Sequence, residues 1–305
     1  MRTVARIALC LSLAGVASPQ GADRIRVVAT IPDLADLVAQ IGGDRVEVTS
    51  IAKGTMNVHA VPLKPSVLVA VNRADLFVQI GLSLEHAYVP GLLMKARNPR
   101  IDPGAPGFVN CSEGWEPIDV PAEISRRQAA DVHPMGNPHF NLDPRGGPHM
   151  AERILAGLLR VDPQGADAYR ERHAAWTKRY QAASERWKEI GERLRGKKVV
   201  TYHNDLDYFL RCYDMRLVAT IEPKPGVPPT PGDLADVVGR IRAEGVRAVL
   251  TAKWSNTKSV RFVTENTEAE IVELPVLVGG VPGADSWIEM MDLLHARLDE
   301  ALGGT

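Results

Sequence analysis

Only three cysteines occur in the 305 residues, and one of them, Cys10, falls inside an N-terminal apolar run. Cys111 and Cys212 are left, in different halves of the chain, so a disulfide framework is excluded. One bridge or two buried thiols are the remaining alternatives. An excess of either charge is also missing. The 36 basic residues face 37 acidic ones, which gives no electrostatic reason to expect nucleic acid or an anionic membrane as partner. Beyond the N-terminus no apolar run reaches the roughly 18 residues of a membrane-crossing helix. No GxGxxG follows a strand and no GxxxxGK or HExxH occurs, so neither a phosphate loop nor the helix-borne zinc site of many peptidases is present.

The N-terminus, MRTVARIALCLSLAGVASPQGA, places Arg2 and Arg6 ahead of an apolar run from Ile7 to Val16 and then small residues. That is the layout of a secretory signal peptide, too short to span a bilayer comfortably. Cleavage after Ala17 and after Ala22 fit equally, and residues 1–22 are set aside from the fold. Because no cysteine closes the apolar run, a lipid anchor is not expected, and the mature chain reads as free in the periplasm.

From Ile25 onward, short β-branched runs alternate with longer helical ones. RIRVVAT, RVEVTSI and DLFVQIG read as strands, and PDLADLVAQIGG and KPSVLVAVNRA as helices between them. HAYVPGLLMKA reads as a helix bent or interrupted at Pro90. Strand and helix at this spacing imply parallel pairing through crossovers, hence α/β architecture. Residues 98–138 are rich in Pro, Gly and Asp and read mostly as loop or short irregular strand. Residues 164–196 form a charged helix of about nine turns with a sparse stripe of Tyr169, His173, Trp176, Tyr180 and Trp187. After it the alternation resumes, with strands near 197–203, 216–222, 246–252 and 270–276 and helices near 206–215, 230–245, 257–265 and 286–302. The stiff, proline-rich PKPGVPPTPG could form part of a cleft wall. The expected organisation is an N-terminal α/β lobe over 23–162, a long rigid helix over 163–196 and a C-terminal α/β lobe over 197–305, each lobe with a mostly parallel sheet flanked by helices.

Of the eight histidines, His86, His173 and His295 fall inside predicted helices without a partner at metal spacing and read as surface or satisfied structural residues. His149 at a helix start and His133 in an irregular loop read as structural too, with an outer contact to a site as the alternative for either. His59, His139 and His203 differ, because each lies in a loop just after a strand or just before a helix. In an open parallel sheet, the loops at the carboxyl ends of the strands are where ligands collect.

The stretches VVATIPDLADLVAQIGGDRVEVTSI, NVHAVPLKPS, GLSLEHAYVP, NPHFNLDP, TYHNDLDYFLRCYDM and ADSWIEMMDLL, with the long helix, occur in an order that resembles the metal-binding solute receptors of zinc and manganese ABC importers, the cluster A-I or zinc-uptake type. The resemblance covers essentially the whole mature chain. It implies a non-enzymatic receptor that holds a metal between two lobes and hands it to a membrane permease, with a metallochaperone as a further candidate partner and a monomer as the expected state. Carried over position by position, the family's ligands fall on His59, His139, His203 and Asp285. Asp285 has a competing role, since Asp or Ser just before a helix is a routine N-cap, and a water could fill its place. This chain departs from the family at Asn57 or Val58, where an aspartate is usual, at Asn141, where a tryptophan is usual, and in lacking a histidine-rich acidic loop.

Three imidazoles and a carboxylate suit zinc, whereas manganese receptors of this type carry Glu at the position of His203. A manganese or iron receptor is the first alternative and a zinc hydrolase the second, although no glutamate stands beside the three histidines as a general base. Asp143 is expected to shape the turn after His139 and could orient its imidazole. Since imidazoles ligate when neutral, zinc binding is expected to weaken below pH about 6.5.

Overall fold

The computed structural model describes residues 24–121, 133–222 and 226–303. The expected signal peptide lies outside them, as does part of the proline-rich loop. The first lobe runs β1 (Ile25–Ala29), α1 (Pro32–Gly42), β2 (Val46–Ser50), α2 (Pro65–Arg73), β3 (Leu76–Gln79), α3 (Val89–Ala96), β4 (Phe108–Asn110) and α4 (Gly146–Val161). Helix α5 (Ala166–Leu194) follows. The second lobe runs β5 (Lys198–Thr201), α6 (Asp207–Cys212), β6 (Arg216–Thr220), α7 (Pro231–Glu244), β7 (Ala248–Thr251), α8 (Thr257–Glu265), β8 (Glu270–Glu273) and α9 (Trp287–Leu298).

Each lobe carries a four-stranded sheet, ordered β2-β1-β3-β4 in one and β6-β5-β7-β8 in the other, with every pairing parallel. The two sheets repeat one topology, although no internal sequence repeat announces it. In each, the order reverses beside the first strand, and the crevice this opens lies at the carboxyl ends of the strands.

Local chemistry accounts for the element ends. Prolines 32, 65 and 231 each stand in a first helical turn, where a missing N–H costs nothing. Pro90 belongs to this group. It does not bend a longer helix; it opens α3, which starts at Val89. Thr230 and Asp233 close a reciprocal capping box on α7. In the stretch read mostly as loop or short irregular strand, residues 108–110 add β4 to the edge of the first sheet, too short to show a period of two. Cys111 and Cys212 are not bridged: both are free, the first buried and the second exposed.

Helix α5 is 29 residues long, about 43 Å of axis. Tyr169, Trp176, Ala183, Trp187, Gly191 and Leu194 form its buried seam, while its charges face solvent. It packs against α1, α4 and α9, so elements from both ends of the chain share one support. Arg186 and the Trp187 indole both donate to Asp292 on α9. Arg193 pairs with Asp299. Trp287, at the start of α9, lies against Trp176, Tyr180 and Trp187 of α5 and reaches α4 through Gly147, where a Cβ would stand 2.3 Å from its ring. The principal core is continuous from β1 and α1 through α5 and α9 to Ala248 and Leu250 of the second sheet.

Candidate metal site

Three loops bring His59, His139 and His203 to one point. His59 lies between β2 and α2, His139 at the entry to the 3-10 turn ahead of α4, and His203 two residues past β5. One ligating atom from each lies within 4.8 Å of the others, and all three side chains are buried. The rings stand 5.0, 5.2 and 5.4 Å apart, each pair edge to face. His59 Nε2 and His139 Nε2 are 3.2 Å apart. Two neutral imidazoles of opposite tautomer can share a hydrogen bond at that distance. It is also close to the separation of about 3.3 Å that two nitrogens adopt on one tetrahedral zinc at 2.0–2.1 Å each.

Two of the loops use the same local device. The Asn57 side-chain oxygen accepts the backbone N–H of His59 at 2.9 Å, and that of Asn137 accepts the backbone N–H of His139 at 2.9 Å. Each Asn-x-His segment is an Asx turn that fixes the histidine backbone. Asn57 thus performs a positioning task where the family usually has an aspartate nearby. Asn137 also donates to the Asn204 carbonyl at 2.8 Å, which ties the loop of His139 to that of His203. Asn141 donates to Asp33 at 3.0 Å, and Asp33 accepts in turn from the Val278 backbone at 3.1 Å. Burial pushes Asp33 up to about 7.

Around the imidazoles stand residues the sequence reading passed over. Glu222 is buried, and its Oε2 lies 2.7 Å from His203 Nδ1. The pairing has a topological cause. Thr201 sits opposite Thr220 in adjacent parallel strands, and the ladder continues through Tyr202 to Glu222, so residue 222 arrives beside residue 203. With Nδ1 donating to Glu222, Nε2 is the acceptor nitrogen of His203. Parallel register was the signal that could have found it. Asp205 is buried beside the same space as His139, and desolvation raises it to about 6 against the pull of His203.

His133, read from sequence as a structural loop residue that could at most supply an outer contact, stacks its ring at a tilt 5.0 Å from that of His59. Burial, then the neighbouring His86, push it down to about 4. His149 bonds the Cys111 carbonyl, and His295 is held by Met291 and Tyr213, both outside the group.

Two expectations need correction. Asp285 is not brought to the histidines. It is exposed, one residue ahead of Ser286, whose hydroxyl accepts from Glu289 N and caps α9. Asp143 does not hold His139: its buried carboxylate is bound by Arg145 through the backbone and the guanidinium. A third expectation shifts. Burial, reinforced by the neighbouring histidines, holds His59 and His139 well below 6.5, so both stay neutral in acid where a free histidine would already be protonated.

The family model described as "Zinc-uptake complex component A periplasmic" matches residues 27–301. Among curated proteins, the chain is 23% identical to the high-affinity zinc uptake system protein ZnuA of Paracoccus denitrificans, across 97% of this chain and 98% of that protein. It is 24% identical to the manganese ABC transporter substrate-binding lipoprotein PsaA of Streptococcus pneumoniae, across 94% of this chain and 92% of that one. Among solved structures, a crystal structure of ZnuA superposes with a TM-score of 0.76 at 22% identity, covering 92% of this chain and all of the other. The Mn-bound periplasmic metal binding protein of Candidatus Liberibacter asiaticus superposes at 0.74 with 17% identity, covering 90% and 98%. These superpositions establish the shared fold.

Proposed function

The chain belongs to the periplasmic zinc-uptake complex component A family, and on that premise we propose that it is a receptor that holds one zinc ion on His59, His139 and His203 and delivers it to the permease of an ABC importer. The carrying observation is the convergence of three buried imidazoles, from positions 59, 139 and 203, onto donors within 4.8 Å of one another. Burying three imidazoles with neighbours of the same potential charge is costly without a cation to share, and a divalent ion at their common point offsets that cost. The fourth position is taken by water, since Asp285 faces solvent.

Zinc is favoured over manganese by the donor set. Three neutral nitrogens suit a borderline tetrahedral ion, whereas manganese prefers carboxylate and water oxygens. Export to the periplasm accords with the leader-like N-terminus. No helix among the described residues is long and apolar enough to cross a membrane. The continuous core through α5 favours a small rotation or a loop opening over a wide hinge when the ion enters or leaves.

Competition against a large excess of manganese tests the metal, since zinc outbinds manganese at most sites when the two are equimolar. Protein dialysed against zinc with about a thousandfold excess of manganese is expected to retain zinc at one ion per chain and no manganese. Retention of manganese instead overturns the zinc assignment.

A further inference from the structure

The triad is nearly closed to solvent, with His59 at 3%, His139 at 5% and His203 at 2% exposure. An ion must nevertheless reach it. Two further histidines form a chain of neighbouring rings from the surface to His59. His86 is exposed, its ring is 6.0 Å from that of His133, and His133 is 5.0 Å from His59. Donors of His133 fall outside the tight group formed by the triad, so it stands next to the site without completing it.

One carbonyl sets both of these imidazoles. Ser83 O lies 2.9 Å from His86 Nδ1 and 3.1 Å from His133 Nδ1. A carbonyl only accepts, so both rings carry their hydrogen on Nδ1 and both leave an Nε2 lone pair. The carbonyl is presented by an unusual loop in which Gly81, Leu82 and Ser83 have φ of 90°, 50° and 65°. Two consecutive non-glycine residues in the left-handed region carry strain, which Glu85 opposes by accepting from Ile80 N and Gly81 N. His133 Nε2 is buried and has no hydrogen-bond partner among the described residues. A lone pair left so costs free energy unless something occupies it part of the time.

We propose that His86 and His133 form an outer two-imidazole landing site through which a divalent cation passes to and from the buried triad. The ion is first held by the two Nε2 atoms and water, then exchanges His86 for His59, and then His133 for the remaining triad members. The first exchange breaks one metal–nitrogen bond as another forms, and the second breaks one and forms two, a bound water leaving to make room for the extra nitrogen. No proton moves, because both Nδ1 atoms keep their hydrogen on Ser83. The proposal rests on the receptor reading above. It separates from it because it concerns rates and leaves the final ligand set unchanged.

The test is stopped-flow transfer of zinc between the full mature chain and a chromophoric chelator, in wild type, His86→Ala and His133→Gln. In both variants uptake and release are expected to slow together by about tenfold, leaving the equilibrium constant within about threefold of wild type. Should His133→Gln fail to fold, the exposed His86→Ala still decides. Unchanged rates in His86→Ala overturn the landing site. Faster release with weaker equilibrium binding in His133→Gln also overturns it, making that residue a resident ligand. If wild type takes up no zinc at all, it is the receptor reading that falls.

Discussion

Glu222 Oε2 receives the Nδ1 hydrogen of His203 at 2.7 Å, from a neighbouring parallel strand, with both side chains buried. The carboxylate fixes the imidazole's tautomer and makes its far nitrogen a better donor. Glu222→Ala is expected to weaken zinc binding by about 10- to 100-fold while leaving the fold intact. Calorimetric titration of the two proteins checks this, and equal affinities would remove Glu222 from the site.

Zinc binding should tolerate mild acid. Burial holds His59 and His139 well below 6.5 in the fold, so ligation there displaces no proton until the pH has fallen well past the free histidine value. Between pH 8 and pH 6 affinity is expected to fall well short of the roughly 70-fold loss that three free imidazoles would give, and to fall further only in stronger acid. A tenfold loss already at pH 6.5 would contradict the burial argument. The same shifts bear on the metal-free fold. A depressed imidazole favours folding fully above the unfolded value of about 6.5. That contribution is lost as the pH falls from there through the folded value, because the unfolded chain takes up the protons first. Urea denaturation across this range should show metal-free His139→Gln losing less stability toward acid than metal-free wild type.

Gly147 is needed for Trp287. A Cβ at residue 147 meets the indole at 2.3 Å, and that ring lies against three aromatic residues of α5 while its N–H donates to the Asn141 carbonyl at 2.9 Å, two residues from His139. Gly147→Ala is expected to destabilise the protein by about 1–3 kcal/mol through overpacking. The midpoint of urea unfolding reads this directly, and an unmoved midpoint would show that the α4–α9 contact yields freely.

Much of this architecture was legible in the chain because its signals are local. Leading prolines and alternating β-branched runs announce the helices and strands, and the crossover spacing announces parallel sheets. The loops of His59, His139 and His203 could be recognised because strand ends in a parallel sheet face one crevice. What escaped depended on relations the chain does not display. Glu222 meets His203 only through strand register, and His133 meets His59 only once an irregular segment is folded. The stretch that holds β4 read as loop or short irregular strand, and three residues are too few to fix where the strand lies. Asp285 reads from sequence as ligand or as cap, and only the backbone geometry shows that Ser286 caps the helix. Asp143 lost its expected role to Arg145, two residues along the same turn.

The central claim is that three distant imidazoles hold one ion. X-ray absorption at the zinc edge, with metal analysis, on wild type and His139→Ala tests it most directly. Wild type is predicted to hold one zinc per chain with three imidazoles in its shell, and the variant to lose it on dialysis. Equimolar zinc retained by His139→Ala in an unaltered shell would contradict the assignment.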